Sequence, residues 1–169
     1  VSVVATRVDG RLVHGQVVVA WVPAVRCDRL GIADDALAGD SWEKDLVESA
    51  SEDTPVDVAS VAEAVSWYRE EGLPRRFVLL RSLASLLELV RAGAPVPEAV
   101  LGGIHHRTGA RRFLAYLYLT RADIEALREL DRAGVRLIAR DVPGNPAVDV
   151  NRALAEGRLE YDQLPAGTS

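Results

Sequence analysis

The sequence holds a single cysteine, Cys27, among 169 residues. One thiol excludes an intramolecular disulfide framework and points to a reducing compartment. It equally excludes, within one chain, a zinc site built from four cysteines or from a cysteine pair and a histidine pair. Long apolar runs are also missing. The most apolar stretch, residues 17–25, is interrupted by Pro23 and followed at once by Arg26, so nothing here is long enough to span a bilayer. The start of the chain passes from Val3 and Val4 straight to Arg7 and Asp9, without the basic opening and cleavage site of a signal peptide. A cytoplasmic protein is expected. Nor is there an excess of positive charge. Twenty Lys+Arg stand against 25 Asp+Glu, a formal net charge of −5. That argues against a broad nucleic-acid face and leaves room only for a local basic patch; no nucleic-acid partner is expected.

What is present is ordinary for a globular chain: 49% hydrophobic and 27% charged residues, at a length that supports one sizeable core. Short β-branched runs alternate with longer amphipathic stretches. The pattern predicts strands over 2–8, 29–33, 56–59, 76–80, 99–103 and 135–139. It predicts helices over 15–25, 41–51, 61–70, 82–91 and 121–133, and a last helix from Asp149. Trp42, Leu46 and Ala50 carry the helical spacing of the second of these. Ser60 with Glu63, and Thr120 with Asp123, stand in capping-box positions. Gly72, Gly93 and Gly134 stand where helices should stop. Strand–helix alternation at this spacing implies parallel strands joined by right-handed crossovers. The expected fold is therefore α/β: one open, doubly wound, mostly parallel sheet with helices on both faces. The domain is expected over 1–155, followed by a frayed polar tail over 156–169.

In such sheets ligands sit beyond the carboxyl ends of the strands. That rule selects three turns: 9–15, 34–40 and 102–109. The first reads Arg7-Val8-Asp9-Gly10-Arg11-Leu12-Val13-His14-Gly15-Gln16-Val17. A neutral imidazole is a good nucleophile. Guanidinium groups bind phosphate bidentately, and a helix N-terminus adds free amides and a positive dipole end. Gly10 and Gly15 let the backbone approach a ligand. Together these residues form a site able to take a phosphoryl group on His14 and stabilise its charge, since positioning and charge stabilisation are most of what phosphoryl transfer asks of a protein. The bland alternative is a solvated loop. The turn is neither a Walker loop nor a Rossmann fingerprint, because it lacks their lysine and glycines.

This run resembles the active-site signature of the EIIB component of the mannose/fructose/sorbose family of the bacterial sugar phosphotransferase system (PTS), Arg-Ile/Val-Asp-x-Arg-Leu-Ile/Val-His-Gly-Gln-Val. Asp34-Asp35-Ala36-Leu37-Ala38-Gly39-Asp40 is similar to that family's turn after the second strand. Gly102-Gly103-Ile104-His105-His106-Arg107-Thr108-Gly109 is similar to its glycine-pair turn, and residues 135–143 to its last strand and the Val-Pro that follows. The resemblance implies a phosphocarrier: His14 takes a phosphoryl group on Nδ1 from phosphorylated EIIA, and the group passes to a sugar held by membrane EIIC/EIID components. It implies that Arg11 contacts the phosphoryl group, with Arg7, Asp9, Gly15 and Gln16 in support. Asp35, Gly102, Gly103, His105 and Arg107 are candidates for a pocket or partner surface. No cofactor or metal is implied. A seat at the inner face of the membrane, through the permease, and a homo-oligomer are left open. The chain departs from the family pattern at the polar, acidic 49–55 and the bulky, basic 110–114, where selectivity is expected to differ. A regulatory phosphoprotein without transport, and a small phosphate-handling enzyme, are the other readings.

Other residues weigh less. His105 and His106 are adjacent, so they point apart and are poor candidates for one metal ion with His14. Asp34, Asp35 and Asp40 read as helix-start caps before they read as acid/base carboxylates, with Asp40 capping the Trp42 helix. Arg107, Arg111 and Arg112 fit either a docking patch or a salt-bridged surface. Trp21, Trp42 and Trp67 are expected to pack in a core or interface, and Cys27 is expected as a small buried hydrophobe rather than a redox centre.

Overall fold

The apolar, β-branched runs lie at the centre of the molecule as strands. The computed structural model describes residues 2–49, 53–72 and 74–166. Seven strands form one sheet: β1 (Val3–Val8), β2 (Arg29–Ala33), β3 (Val56–Ala59), β4 (Arg76–Leu80), β5 (Glu98–Leu101), β8 (Arg136–Ala139) and β9 (Val148–Asp149). They lie in the order β3-β2-β4-β1-β5-β8-β9. All pair in parallel except β9, which runs antiparallel to β8. β4 is buried at all five positions, as expected of a strand covered on both faces.

Two apolar clusters lie on either side of the sheet. One joins Trp67 of α4 (Val61–Arg69), Leu86 of α5 (Leu83–Arg91) and Leu130 of α6 (Arg121–Arg132) to strand residues including Val78 and Leu80. The other joins Leu12, Val17 and Trp21 to Leu30, Ile32, Phe77 and Leu79. Both capping boxes form: Ser60 with Glu63 starts α4, and Thr120 with Asp123 starts α6. Gly93 and Gly134 end α5 and α6 in the left-handed region, at φ +92° and +83°, where a side chain would be strained.

The structure departs from the sequence expectations in several places. The 15–25 helix is not uniform: Val17–Trp21 is a wide, π-helical turn that runs into α1 (Val22–Val25). The 34–40 turn contains a short helix, α2 (Asp35–Gly39), capped by Asp34. Asp40 then accepts from the amides of Trp42 and Glu43, 3.0 Å each, and opens α3 (Ser41–Ser49). Ala50 and Ser51, expected at the end of that helix, lie outside the described residues. Trp42 does not pack inside. It is 71% exposed beside Leu46, because α3 meets the sheet cluster through Val47 instead.

Residues 111–119, read without secondary structure, form an antiparallel hairpin of β6 (Arg111–Leu114) and β7 (Leu117–Leu119). Beyond α7 (Val150–Ala155) the chain expected to fray keeps packing. Leu159 and Leu164 are buried in the larger cluster, and Ala166 bridges to Arg111. The last three residues of the expected tail, 167–169, lie outside the described residues.

Candidate functional site

β1 ends between β4 and β5: Val8 is in register with Leu80 on one side and Leu101 on the other. The turn that follows is stitched to both neighbours. Asp9 N–H donates to the Leu80 carbonyl (2.9 Å), and Gly10 N–H to the Gly103 carbonyl (2.8 Å). Leu12 N–H donates back to the Asp9 carbonyl (2.9 Å), closing a tight turn. Leu12 itself adopts φ +53° with its side chain buried. A bulky residue in the left-handed region is strained, and such strain concentrates where a site must be shaped. The turn delivers His14 to the start of the next helix, where its carbonyl accepts from Val18 N–H (3.1 Å).

Arg7 and Asp9 leave β1 with side chains wholly buried. The Arg7 guanidinium donates to Asp9 Oδ2 (2.9 Å) and to the carbonyls of Arg140 (2.9 Å) and Asp141 (3.0 Å). Its carbon sits 4.6 Å from the centre of the Trp21 ring. Gly102 is pressed against it: a Cβ there would lie 2.1 Å from the guanidinium, so only glycine fits. Asp9 Oδ2 also accepts from Gly103 N–H (3.2 Å), and Oδ1 from Arg11 N–H (3.2 Å). Burial alone would raise the Asp9 carboxyl. The Arg11 and Gly103 amides, the Arg7 charge and His14 outweigh that and hold it below the usual carboxylate range.

His14 Nε2 lies 3.2 Å from Asp9 Oδ2. Nε2 is buried and makes no hydrogen bond of good geometry among the described residues, so it meets the Asp9 carboxylate as a close electrostatic contact. The imidazole keeps 15% of its surface exposed, so the ring shows its other edge, with Nδ1, to solvent. Arg11 stands over the same turn. It is 42% exposed and held only loosely, by Asp9 Oδ1 at 3.4 Å and Gln16 Oε1 at 3.3 Å. Gly15 and Gln16 are exposed at the helix start, and a Cβ at Gly15 would meet nothing. The arrangement thus offers an accessible ring nitrogen, a buried carboxylate behind the other nitrogen, a swinging guanidinium and unused helix-start amides. Such groups together are chemically suited to an anionic ligand.

Of the three turns selected by the switch-point rule, 9–15 and 102–109 meet directly through Gly10, Asp9 and Gly103. The 34–40 turn reaches the neighbourhood through Arg81, which donates to Asp34 Oδ2 (2.7 Å). Asp35 accepts from Val61 N–H (2.8 Å) and so supports the start of α4. His105, His106 and Arg107 line a cleft of 340 Å³ beside Gly10, with Arg81 and Asp123. His106 packs edge-on against Tyr118, and Arg107 pairs with Asp123. Arg111 donates to the Leu164 carbonyl (3.0 Å) and stacks on Tyr161, which marks it as structural. Arg112 is exposed. Among the described residues no three His, Cys, Asp or Glu side chains are grouped to hold a metal ion. Among the described residues no helix is long and apolar enough to cross a membrane.

Sequence reasoning missed the back of the site. Trp21 and the Arg140–Asp141 backbone belong to other elements, the latter 133 residues along the chain from Arg7. Main-chain carbonyls carry no residue-type signal. For Trp21, a helical wheel drawn with ordinary α-helical spacing misplaces a side chain at the end of a wide turn.

The family described as the PTS system sorbose subfamily IIB component matches residues 3–164. The sorbose-specific EIIB component of Klebsiella pneumoniae is 30% identical over 152 residues, covering 88% of this chain and 93% of that protein. An Escherichia coli N-acetylgalactosamine-specific phosphotransferase enzyme IIB component is 29% identical, covering 90% and 99%. The crystal structure of the IIBSor domain of the K. pneumoniae sorbose permease superposes with a TM-score of 0.80 at 30% identity, covering 92% of this chain and 98% of that one. With the residue 7–17 motif, the sheet order and these relatives in agreement, the chain belongs to the sorbose-type IIB family of the sugar phosphotransferase system.

Proposed function

We propose that His14 is the phosphoryl carrier of this IIB component, with Nδ1 as the reacting atom. IIB components are phosphotransferases that act in sugar uptake, and the family works with EIIA and EIIC/EIID components. The observation that carries the assignment is the placement of Nε2 against buried Asp9, 3.2 Å away. A carboxylate there favours the tautomer with the proton on Nε2, which leaves the Nδ1 lone pair as nucleophile.

In the first step Nδ1 forms a bond to phosphorus as the bond to the EIIA histidine breaks. Positive charge develops on the His14 ring, and Asp9 offsets it. Arg11, loosely tied, turns its fork onto the phosphoryl oxygens, and the helix-start amides after His14 supply further donors. In the second step the acceptor sugar's hydroxyl oxygen bonds to phosphorus, its proton passes to water or a base beside the sugar, and the N–P bond breaks to return His14 as a neutral imidazole. EIIA is the donor on this reading, and the sugar is presented by an EIIC/EIID complex. The cleft lined by the 102–109 loop lies beside Gly10, on the turn that carries His14, and on this reading His105 and Arg107 are part of the surface a partner covers.

The test is labelling by phosphorylated EIIA. A single acid-labile, base-stable phosphoryl group on His14 is expected, with nitrogen NMR assigning it to Nδ1. Label retained in His14→Ala, or found on Nε2, overturns the assignment.

A further inference from the structure

We infer that Trp21 is a positioning residue for the phosphoryl carrier, acting on His14 through Arg7 and Asp9. The inference rests on the reading of His14 as carrier.

The contacts form a continuous chain. Trp21 Nε1–H donates to the Asp141 carbonyl (2.9 Å). The same carbonyl accepts from Arg7 (3.0 Å), so ring and guanidinium share one anchor at the end of β8. The ring face lies 4.6 Å from the guanidinium carbon. Arg7 grips Asp9 Oδ2, and that oxygen faces His14 Nε2. No link exceeds 3.2 Å between polar atoms, and the one ring contact is desolvated: Trp21 is 5% exposed and Arg7 not at all.

Arg7 needs this wall. Its Nε is buried with no hydrogen-bond partner among the described residues, so one edge of the guanidinium has nothing polar to hold it. On that fork the ring and the Gly102 backbone replace the missing bond. A guanidinium over an indole is also the strongest of the cation–aromatic pairs when water is excluded. Without the ring, Arg7 could rotate its fork off Asp9 Oδ2. That oxygen would then be freer to turn, and His14 would lose the fixed negative charge beside Nε2 that biases its tautomer. The charged or titratable groups around this chain are Asp9 and Arg11 on the turn, Arg140 and Asp141 at the end of β8, and Tyr116 of the hairpin, which interacts electrostatically with Asp141, Arg7 and Arg140.

The local backbone has the shape for this role. Trp21 closes the π-helical turn Val17–Trp21, and such wide turns are frequent at functional sites because they re-aim a side chain. The same helix begins just after His14, so one element carries the reacting ring at its start and the clamp at the end of its first wide turn.

The experiment uses the intact protein, in wild type and in Trp21→Leu and Trp21→Phe. Phenylalanine keeps a ring face and loses the N–H; leucine loses both. In Trp21→Leu, kcat for transfer from phosphorylated EIIA should fall about tenfold, on the scale of a desolvated cation–aromatic contact. KM for EIIA should stay within about twofold, since Trp21 itself is buried and away from any surface a partner could touch. The nitrogen shifts of His14, measured without any donor, should move from a single Nε2–H tautomer towards a mixture. Trp21→Phe should recover most of both effects. In wild type, phosphorylation should shift the indole N–H signal of Trp21 and leave Trp42, exposed on α3, and Trp67, stacked on Arg76, unmoved. A Trp21→Leu protein with wild-type kcat and an unchanged His14 tautomer overturns the inference. So does a silent Trp21 indole, which decides the matter even if the leucine variant does not fold. If wild type takes no label on His14, the carrier assignment falls instead, while the tautomer comparison still judges the relay.

Discussion

At the scale of single residues, the site divides its arginines by burial. Arg7 is sealed in with both terminal nitrogens engaged, by Asp9 and the carbonyls of Arg140 and Asp141, so its charge serves Asp9. Arg11 is nearly half exposed, and its two side-chain bonds, at 3.4 and 3.3 Å, are at the long limit. A residue held that weakly can move to a phosphoryl group with little to give up. Lysine would keep the charge and lose the fork. Arg11→Lys is therefore expected to fold normally and transfer more slowly than wild type. Arg11→Ala should lose on the order of 10²-fold or more in rate, the scale of removing one preorganised donor. Thermal melts should hardly move in either variant, since this side chain is largely exposed and its bond to buried Asp9 is at the long limit. Quenched-flow transfer from EIIA, paired with those melts, checks both; equal rates in all three proteins would remove Arg11 from the site. Both arginines and the histidine were legible from the eleven-residue motif. The division of labour was not, because burial of Arg7 depends on Gly102, far along the chain.

At the scale of elements, local rules and long-range packing share the work. α6 shows the local part. Asp123 accepts from Thr120 N–H (2.7 Å) and Thr120 Oγ1–H (2.7 Å), and also pairs with Arg107 of the glycine-pair loop. Spacing alone announced the capping box; the pairing with Arg107, sixteen residues back, needed the hairpin between them to fold over. Thr120→Ala should cost about 1 kcal/mol, the usual value of an N-cap. Asp123→Ala should cost more, since it removes the cap's return bonds and leaves Arg107 without its carboxylate. Urea midpoints at constant slope measure the order. If the two variants are equally stable, the loop gains nothing from the helix. The β6–β7 hairpin escaped detection because its connection, Ala115-Tyr116, has none of the residues that announce a tight turn.

At the scale of the whole molecule, buried and paired carboxylates tie stability to pH. Arg29 first, and Arg76 with it, hold the Asp57 carboxyl below its ordinary range against some burial. Burial pushes Asp34 up, but Arg81 and the Leu37 amide more than reverse it, and Asp9 is lowered as described above. Carboxyls with lowered folded values add stability that is complete above their unfolded pKa, roughly 4. It is lost as pH falls through the folded values. Tyr68 is the opposite case. Its hydroxyl, buried against Thr6 at 2.7 Å, is pushed well up by burial. Its contribution is complete below the unfolded tyrosine value near 10 and is lost at higher pH. Melting temperature should therefore be flat across neutral pH and drop below about pH 4 and above about pH 10. Tyr68→Phe should flatten the alkaline limb alone. A melting temperature unchanged down to about pH 3 would contradict the acid limb.

The sequence by itself determined the parallel strands, the starts and stops of the longer helices, the doubly wound architecture and the His14 motif. These follow from interactions between residues a few positions apart: alternating or helical hydrophobic spacing, a Ser or Thr three residues before an acid, a glycine at a left-handed stop. The tertiary structure alone decided which turns meet. β1 pairs with β4 and β5 rather than with β2, and that register sets Gly103 on Asp9, Gly102 on Arg7 and Asp141 beneath Trp21. It also decided that residues 156–166 are packed and that Trp42 is exposed. Contacts of that kind join residues tens of positions apart, and their energy depends on a shape that exists only once the sheet has closed around them.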